Sequence, residues 1–356
     1  MSVSSLNLKV TRTTNSRIAE LDKNNLMFGK QFTDHMLVCY YKNGAWQTPE
    51  IIPFDNLSMS PATSFMHYGQ AIFEGIKAYR HQDGSVAIFR PQDNWKRMNV
   101  SAARLDMPDI SEDIFMEGMR ELIKLDEAWV PEGDNTSLYL RPFMLGMDEF
   151  IGVRTSETYA FMVIASPAGP YYEKPVRIYV QDQYVRACPG GIGFTKAAGN
   201  YGASMLPTRT VKELGYDQVL WTDVFEHKYV QEIGTMNVFF IVDGVVLTPD
   251  LSQGTILAGV TRDSIIKLLK ENGIEVQERP VSIDELVAAQ KAGKLQEAFG
   301  SGTAASMSYI SDLTYQNETL HLPEISTWSI APKIKKQLDD IRYGRVSDNH
   351  GWIFKV

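Results

Sequence analysis

One lysine, Lys196, lies in the glycine-rich stretch Gly190-Gly191-Ile192-Gly193-Phe194-Thr195-Lys196-Ala197-Ala198-Gly199-Asn200-Tyr201-Gly202, with Tyr201 five residues later. A second polar signal follows at Gln231-Glu232-Ile233-Gly234-Thr235-Met236-Asn237. A lysine amine can form a Schiff base with an aldehyde. A phenol can bond a ring phenolate, and a carboxylate can pair with a protonated ring nitrogen. Together these are the groups that hold and drive pyridoxal 5'-phosphate (PLP), whose protonated ring serves as an electron sink. Taken singly, each has a plainer reading: Lys196 as a surface loop lysine, Glu232 as a solvated strand-end residue, Thr235 as a turn residue. A phosphate loop of the form GxxxxGK[ST] is excluded, because Thr195 precedes the lysine and Ala197 follows it.

Two segments could bind a phosphate. Gly259-Val260-Thr261 opens a predicted helix, whose N-terminus favours anions. Phe299-Gly300-Ser301-Gly302-Thr303-Ala304-Ala305 follows a predicted strand and is rich in small donors. A plain helix start and a plain loop are the alternatives. Arg97, on a helix after Phe89-Arg90-Pro91, could add a guanidinium, which suits phosphate. Phe28, Tyr68, Phe73, Tyr139 and Tyr171 could wall an apolar pocket or simply pack in the core. The six histidines include no pair at metal-ligand spacing, so no catalytic metal is expected. No GxSxG elbow and no GxGxxG after a strand occurs, so serine hydrolase and dinucleotide-binding readings lack support.

The elements that must position these residues alternate in type. Strands are expected at 36–41, 87–89, 137–141, 159–164, 176–180, 218–221, 236–242 and 245–247. Helices are expected from Asp93 to Leu105, at 112–125, 203–214 and 261–272, and after the Ser282/Glu285 capping box. Asp243-Gly244 is a two-residue hairpin signal, and hairpins force antiparallel pairs. The fold class is therefore α/β or α+β, not a doubly wound parallel sheet. Two prolines and a glycine in Ser166-Pro167-Ala168-Gly169-Pro170-Tyr171-Tyr172 suggest a linker. The expected domains are a smaller one over 1–165, a linker over 166–175 and a larger, PLP-binding one over 176–356.

The chain has 356 residues, 44% hydrophobic and 22% charged, as expected of a globular protein. Its net charge of -8 argues against nucleic acid or an anionic membrane as partner. Two cysteines far apart fit a reducing compartment. Residues 1–25 contain no apolar core of a secretory signal, and no apolar run approaches a membrane span, so a cytoplasmic location is expected.

Nearly the whole chain resembles the branched-chain amino acid aminotransferases of PLP fold type IV, and most of all their longer, eukaryote-like subgroup. The matching segments include Phe28-Gly29-Lys30, His67-Tyr68, Phe73-Glu74-Gly75-Ile76-Lys77-Ala78, Arg97-Met98 and Ser137-Leu138-Tyr139-Leu140-Arg141-Pro142. They continue through Gly199-Asn200-Tyr201-Gly202, Glu232-Ile233-Gly234-Thr235-Met236-Asn237, Leu257-Ala258-Gly259-Val260-Thr261-Arg262 and Phe299-Gly300-Ser301-Gly302-Thr303-Ala304. The resemblance implies a two-domain fold with mixed sheets and a homodimer whose active site is completed by the partner subunit. It implies amino transfer from leucine, isoleucine or valine to 2-oxoglutarate. Lys196 would carry PLP and act as the base, with Tyr201 on the ring oxygen and Glu232 on the ring nitrogen. Leu257 would lie on the ring face, while Arg97, Gly259, Val260, Thr261, Gly302 and Thr303 would hold the phosphate. Thr235 and the amides of Thr303 and Ala304 would bind the substrate α-carboxylate. Phe28, Tyr68, Phe73, Tyr139, Ile151, Val153 and Tyr171 would form the side-chain pocket, partly from the partner, and Arg141 would accept a second carboxylate. Eukaryotic relatives have a CxxC pair where this chain has Ala305 and Ser308, so no thiol switch is expected there. D-amino acid aminotransferases and aminodeoxychorismate lyases share the lysine and glutamate. A catalytically dead PLP-binding scaffold is the rival from another class.

Overall fold

The structure is a computed structural model that describes residues 6–172, 174–316 and 318–356. Residues 1–5, in the stretch read for a signal, and Glu173, in the expected linker, lie outside the described residues, as does Asn317. The chain divides into two compact units. Unit one takes the chain up to Tyr171 with Thr195–Gly199 and Ile341–Val356; unit two takes Tyr172–Phe194 and Asn200–Asp340.

Unit one is built on a ten-stranded sheet. Its strands are β1 (Lys9–Val10), β2 (His35–Lys42), β3 (Ala45–Trp46), β4 (Glu50–Pro53), β5 (Ala71–Phe73), β6 (Ile76–Arg80), β7 (Val86–Phe89), β8 (Ser137–Gly146), β9 (Tyr159–Ala168) and the C-terminal strand Ile353–Lys355. The order is β1-β4-β2-β9-β8-β6-β7 and then the C-terminal strand, with β3 on β2 and β5 on β8. Among the described residues, only the β1–β4 pair of this sheet is parallel. Short α1 (Ser64–Tyr68), α2 (Pro91–Arg104) and α3 (Glu112–Leu125) complete the unit. Apolar residues three and four apart give α3 one buried stripe, Phe115, Met119, Leu122 and Ile123. This stripe shares a core with Met98 and Ala102 of α2 and with Leu37, Ile72, Ile88 and Phe161 of the sheet. Ser111 caps α3, its Oγ accepting from the Ile114 amide.

β9 runs four residues past its expected end. Its pairing with β2 stops at Val163, whereas pairing with β8 continues to Ala168. Pro167 thus needs no donor on the β2 side, which is where a strand tolerates proline.

Unit two contains β10 (Val176–Val180), β11 (Gln218–Thr222), β12 (Val230–Ile233), β13 (Asn237–Val242), β14 (Val245–Thr248), β15 (Val276–Glu278), β16 (Leu295–Gly302), β17 (Ser306–Tyr315) and β18 (Glu318–His321). They form a nine-stranded sheet in the order β12-β11-β10-β17-β16-β13-β14-β15, with β18 on β17. β10 is parallel to β11 and β17, and β14 to β15; the other pairs are antiparallel. The sheets are thus mixed, as expected. The remaining α-helices among the described residues are α4 (Ala198–Glu213), α5 (Val260–Glu271), α6 (Ile283–Lys291) and α7 (Ile330–Arg342).

Asp243 and Gly244 both take positive φ, 53° and 79°, as the tight β13–β14 hairpin requires. Ser282 caps α6 through the Glu285 amide at 3.1 Å, as the capping box predicts. Other elements also extend beyond expectation, β8 to Gly146 among them. α4 begins at Ala198 rather than 203, because Gly199 and Gly202 lower helix propensity without forbidding it. β16 continues through Gly302, so Phe299, Gly300 and Ser301 are strand residues, with Gly300 paired to Ser308 of β17. Among the described residues, no helix is long and apolar enough to cross a membrane.

Candidate active site

The predicted site residues fall into two sets, one in each unit. In unit one, Lys196 is stitched to the sheet and to α2. Its amide donates to Ser101 Oγ at 3.0 Å. The Phe73 amide donates to the Lys196 carbonyl at 3.1 Å, and Ala197 bridges Ile72 of β5. These bonds span 95 residues between Lys196 and Ser101, so a loop in sequence is a fixed segment in space. The Lys196 ammonium lies 4.7 Å from the centroid of the Phe73 ring.

Arg97, on the buried side of α2, forms a two-pronged pair with Glu74. Nε meets Oε1 and Nη2 meets Oε2, both at 2.8 Å. Glu74 is fully buried and also accepts from Asn94 Nδ2 at 2.8 Å. Burial alone would push its carboxyl up. The Arg97 charge and hydrogen bonds, the Lys196 charge and the Asn94 bond outweigh that and hold it below the usual carboxylate range.

The aromatic set gathers beside these residues. Phe28 meets Tyr139 edge-on at 4.7 Å between centroids and Tyr171 at 5.2 Å. Tyr139 and Arg141 are two apart on β8 and so share a face. Arg141 Nη2 donates to the Tyr139 hydroxyl at 2.8 Å, and its guanidinium lies 4.5 Å from the Phe73 centroid. Gly75 faces the same ring: a Cβ there would lie 2.4 Å from the Tyr139 hydroxyl. Tyr68, Ile151 and Val153 are not drawn in. They are 39%, 68% and 91% exposed. Asp148 orders the segment that carries the last two, accepting from the Glu157 and Thr158 amides and the Thr158 hydroxyl.

In unit two, β12 places Glu232 in the interior rather than at a solvated end, 2% exposed. Its Oε2 pairs with Arg186 Nε at 2.8 Å, and its Oε1 accepts from the Leu257 amide at 2.8 Å. Arg186 also donates to the Thr255 and Gly193 carbonyls, at 2.7 and 3.1 Å. Asn237 Nδ2 reaches the Leu257 carbonyl at 2.9 Å and Glu232 Oε1 at 3.4 Å. A Cβ on Gly259 would lie 2.0 Å from Asn237 Oδ1, so Asn237 fits only because 259 is glycine. Glu232, Leu257 and the Gly259-Val260-Thr261 start of α5 are therefore one cluster, and the N-cap position of α5 is a glycine.

Gly234, with φ 53°, and Thr235 form the two-residue turn between β12 and β13, closed by Ile233 and Met236. Met236 packs on Gly300 and Gly302, and a Cβ on Gly302 would lie 3.8 Å from the Thr235 carbonyl. Thr235 and the Gly302-Thr303-Ala304 turn are thus neighbours. Tyr201 lies in the first turns of α4, where Ser204 Oγ donates to its carbonyl. Buried Ser301 Oγ has no hydrogen-bond partner among the described residues.

Sequence reasoning missed Ser101, Asn94, Arg186 and any role for Glu74, although Glu74 lies inside a quoted motif. Their partners are 95, 20, 46 and 23 residues away in sequence, so no spacing rule reaches them.

The model of the family Amino-transferase class IV matches residues 71–312, about two thirds of the chain, taking in Glu74, Arg97, Lys196 and Glu232 but not Phe28 or Tyr68. The chain belongs to the class IV aminotransferases. One relative of this aminotransferase, branched-chain-amino-acid transaminase 1 of Bacillus subtilis (strain 168), is 46% identical over 340 residues, 94% of this chain and 95% of its own. The branched-chain amino acid aminotransferase of Escherichia coli has a similar fold, with a TM-score of 0.73 and 27% identity over 90% of this chain and 98% of that one. The T.th. branched-chain amino acid aminotransferase was solved with N-(5'-phosphopyridoxyl)-L-glutamate and with 4-methylvaleric acid. In both cases the TM-score is 0.72 and the identity 27%, over 88% of this chain and 97% of that one.

The class IV aminotransferases depend on PLP, and the donors present suit it. A buried arginine and the N-terminus of α5, with glycine at its cap, suit a phosphate, and a buried carboxylate suits a ring nitrogen.

Proposed function

We propose that this PLP-dependent aminotransferase moves the amino group of L-leucine, L-isoleucine or L-valine to 2-oxoglutarate, reversibly, giving the branched 2-oxo acid and L-glutamate. The observation that carries it is the wall of Phe28, Phe73, Tyr139 and Tyr171 with one guanidinium, Arg141, against two of its rings. Apolar rings suit an aliphatic side chain, and the guanidinium suits the distal carboxylate of glutamate. Relatives named for branched-chain substrates, one of them solved with a glutamate adduct and an aliphatic acid, agree with both demands.

When bound, PLP withdraws electrons from the substrate Cα. In this reading Lys196 Nζ removes the Cα proton and returns it on the other side of the transfer. Glu232, fixed by Arg186 and the Leu257 amide, pairs with the ring nitrogen, and Tyr201 donates to the ring oxygen. Leu257 covers a ring face. Arg97, Gly259, Val260, Thr261, Gly302 and Thr303 bind the phosphate, while Thr235, Thr303 and Ala304 take the α-carboxylate. The exposed Tyr68, Ile151 and Val153 reach into the site of a second copy, making a homodimer in the cytoplasm.

The test is a visible spectrum of the purified protein, titrated with L-leucine and then 2-oxoglutarate. The lysine-bound cofactor band is expected to bleach with leucine and return with the oxo acid. The Lys196→Ala protein is expected to lack the band. A wild type without the band, or one bleached by D-leucine alone, overturns the reading.

A further inference from the structure

We propose that Glu74 is a positioning residue for the cofactor phosphate: it aims Arg97 and so sets the enzyme's preference for the phosphorylated cofactor. This deepens, and rests on, the function proposed above. A fully buried carboxylate has no water to solvate it, so protein donors must do so. Four converge on Glu74: Arg97 Nε and Nη2, Asn94 Nδ2 and the Gly75 amide, at 2.8, 2.8, 2.8 and 3.2 Å. Such a fork leaves the guanidinium one plane and one direction, because two parallel bonds cannot rotate.

Arg97 is held at both ends. α2 fixes its backbone, and Glu74, from the connection between β5 and β6, fixes its head. The fork engages Nε and Nη2, so the direction of Nη1 is set by where Glu74 stands. The same carboxylate feels the Lys196 charge. Phe73, the neighbouring residue, lies against the Lys196 ammonium. One β-connection thus adjusts both the amine proposed for the aldehyde end and the guanidinium proposed for the phosphate end.

Removing the Glu74 charge has two opposed effects. It leaves Arg97 less neutralised, which strengthens its general attraction for anions. It also frees the guanidinium to sample several rotamers, which weakens a directional bond to phosphate. The directional loss dominates, because Glu74→Gln turns an amide donor toward a guanidinium donor and breaks the fork.

The experiment measures Kd for PLP and for pyridoxal, which lacks the phosphate, on wild type and Glu74→Gln stripped of cofactor. The ³¹P spectrum of bound PLP is recorded alongside. Glu74→Gln is expected to lower the PLP-over-pyridoxal selectivity about tenfold and to shift the phosphorus resonance. Glu74→Asp keeps the charge and withdraws the fork, so it is expected to behave like Gln. Unchanged selectivity, with both ligands weakened together or neither affected, overturns the proposal and leaves the proposed function standing. So does full rescue by Asp, which would make charge alone the cause. A wild type with no preference for PLP over pyridoxal overturns both readings. If Glu74→Gln does not fold, Asn94→Ala, which keeps the fork but loses one anchor, carries the same test with an expected drop of about threefold.

Discussion

The Lys196 amide donates to Ser101 Oγ at 3.0 Å, and that hydroxyl in turn donates to the Arg97 carbonyl at 3.1 Å. A single buried serine on α2 therefore ties the segment of the candidate catalytic lysine to the helix turn that carries the candidate phosphate arginine. Ser101→Ala leaves the Lys196 amide without this acceptor, at a cost of about 1 kcal/mol in stability. The expected kinetic result is a several-fold lower kcat with the cofactor still bound. Thermal melts and steady-state kinetics check it, and an unaltered kcat would remove Ser101 from the account.

Arg186 and Glu232 form a pair that is buried on both sides, 7% and 3% exposed at the side chains. Replacing Arg186 with Leu leaves the buried Glu232 carboxylate without this counter-charge. The expected loss is about 3 kcal/mol, visible in denaturant unfolding. Arg186→Lys keeps the charge but not the three-way contact with Glu232, Thr255 and Gly193, and should recover only part of that loss. Full recovery by Lys would show that charge, not geometry, holds Glu232.

Gly75 is required for packing, not for an unusual φ. A Cβ there would stand 2.4 Å from the Tyr139 hydroxyl and 3.1 Å from Cζ. Gly75→Ala should therefore push Tyr139 off its position, destabilise the protein by about 1–3 kcal/mol and loosen the bond to Arg141. Because Arg141 is proposed to take the distal carboxylate, the KM for 2-oxoglutarate should rise more than that for leucine. An equal rise in both would indicate general disorder of the wall.

Acid should release the 147–158 loop only below the ordinary carboxylate range. Burial raises the Asp148 pKa. The Thr158 hydroxyl, the Glu157 and Thr158 amides and the Arg154 charge lower it further than that, so the folded value lies below the unfolded one. A depressed carboxylate contributes stability above its unfolded pKa of about 3.9 and loses it as pH falls through the folded value. The protection factors of the Glu157 and Thr158 amides, taken against the intrinsic exchange rate at each pH, should therefore stay high at neutral pH and fall below about pH 4. Asp148→Asn should give low protection factors at every pH; protection that survives in the variant would refute the assignment.

Some of this was legible along the chain. Lys196, Glu232 and Thr235 stand out because glycines lie within a few residues of each and because their residue types suit one cofactor. The α3 helix follows from an apolar stripe and a serine cap, and the β13–β14 hairpin from Asp243-Gly244. These features rest on contacts between residues a few positions apart, so local sequence carries them. Element ends were less legible: β9 tolerates Pro167 only because its β2 neighbour has already stopped.

The sequence by itself determined which residue types are available for the chemistry and which helices and hairpins would carry them. Only the tertiary structure decided that Lys196 is clamped rather than loose, that Arg97 answers to Glu74 and that Glu232 answers to Arg186. The reason is physical. A buried charge must find its partner wherever the packed strands and helices bring one, and the distance along the chain does not enter that requirement.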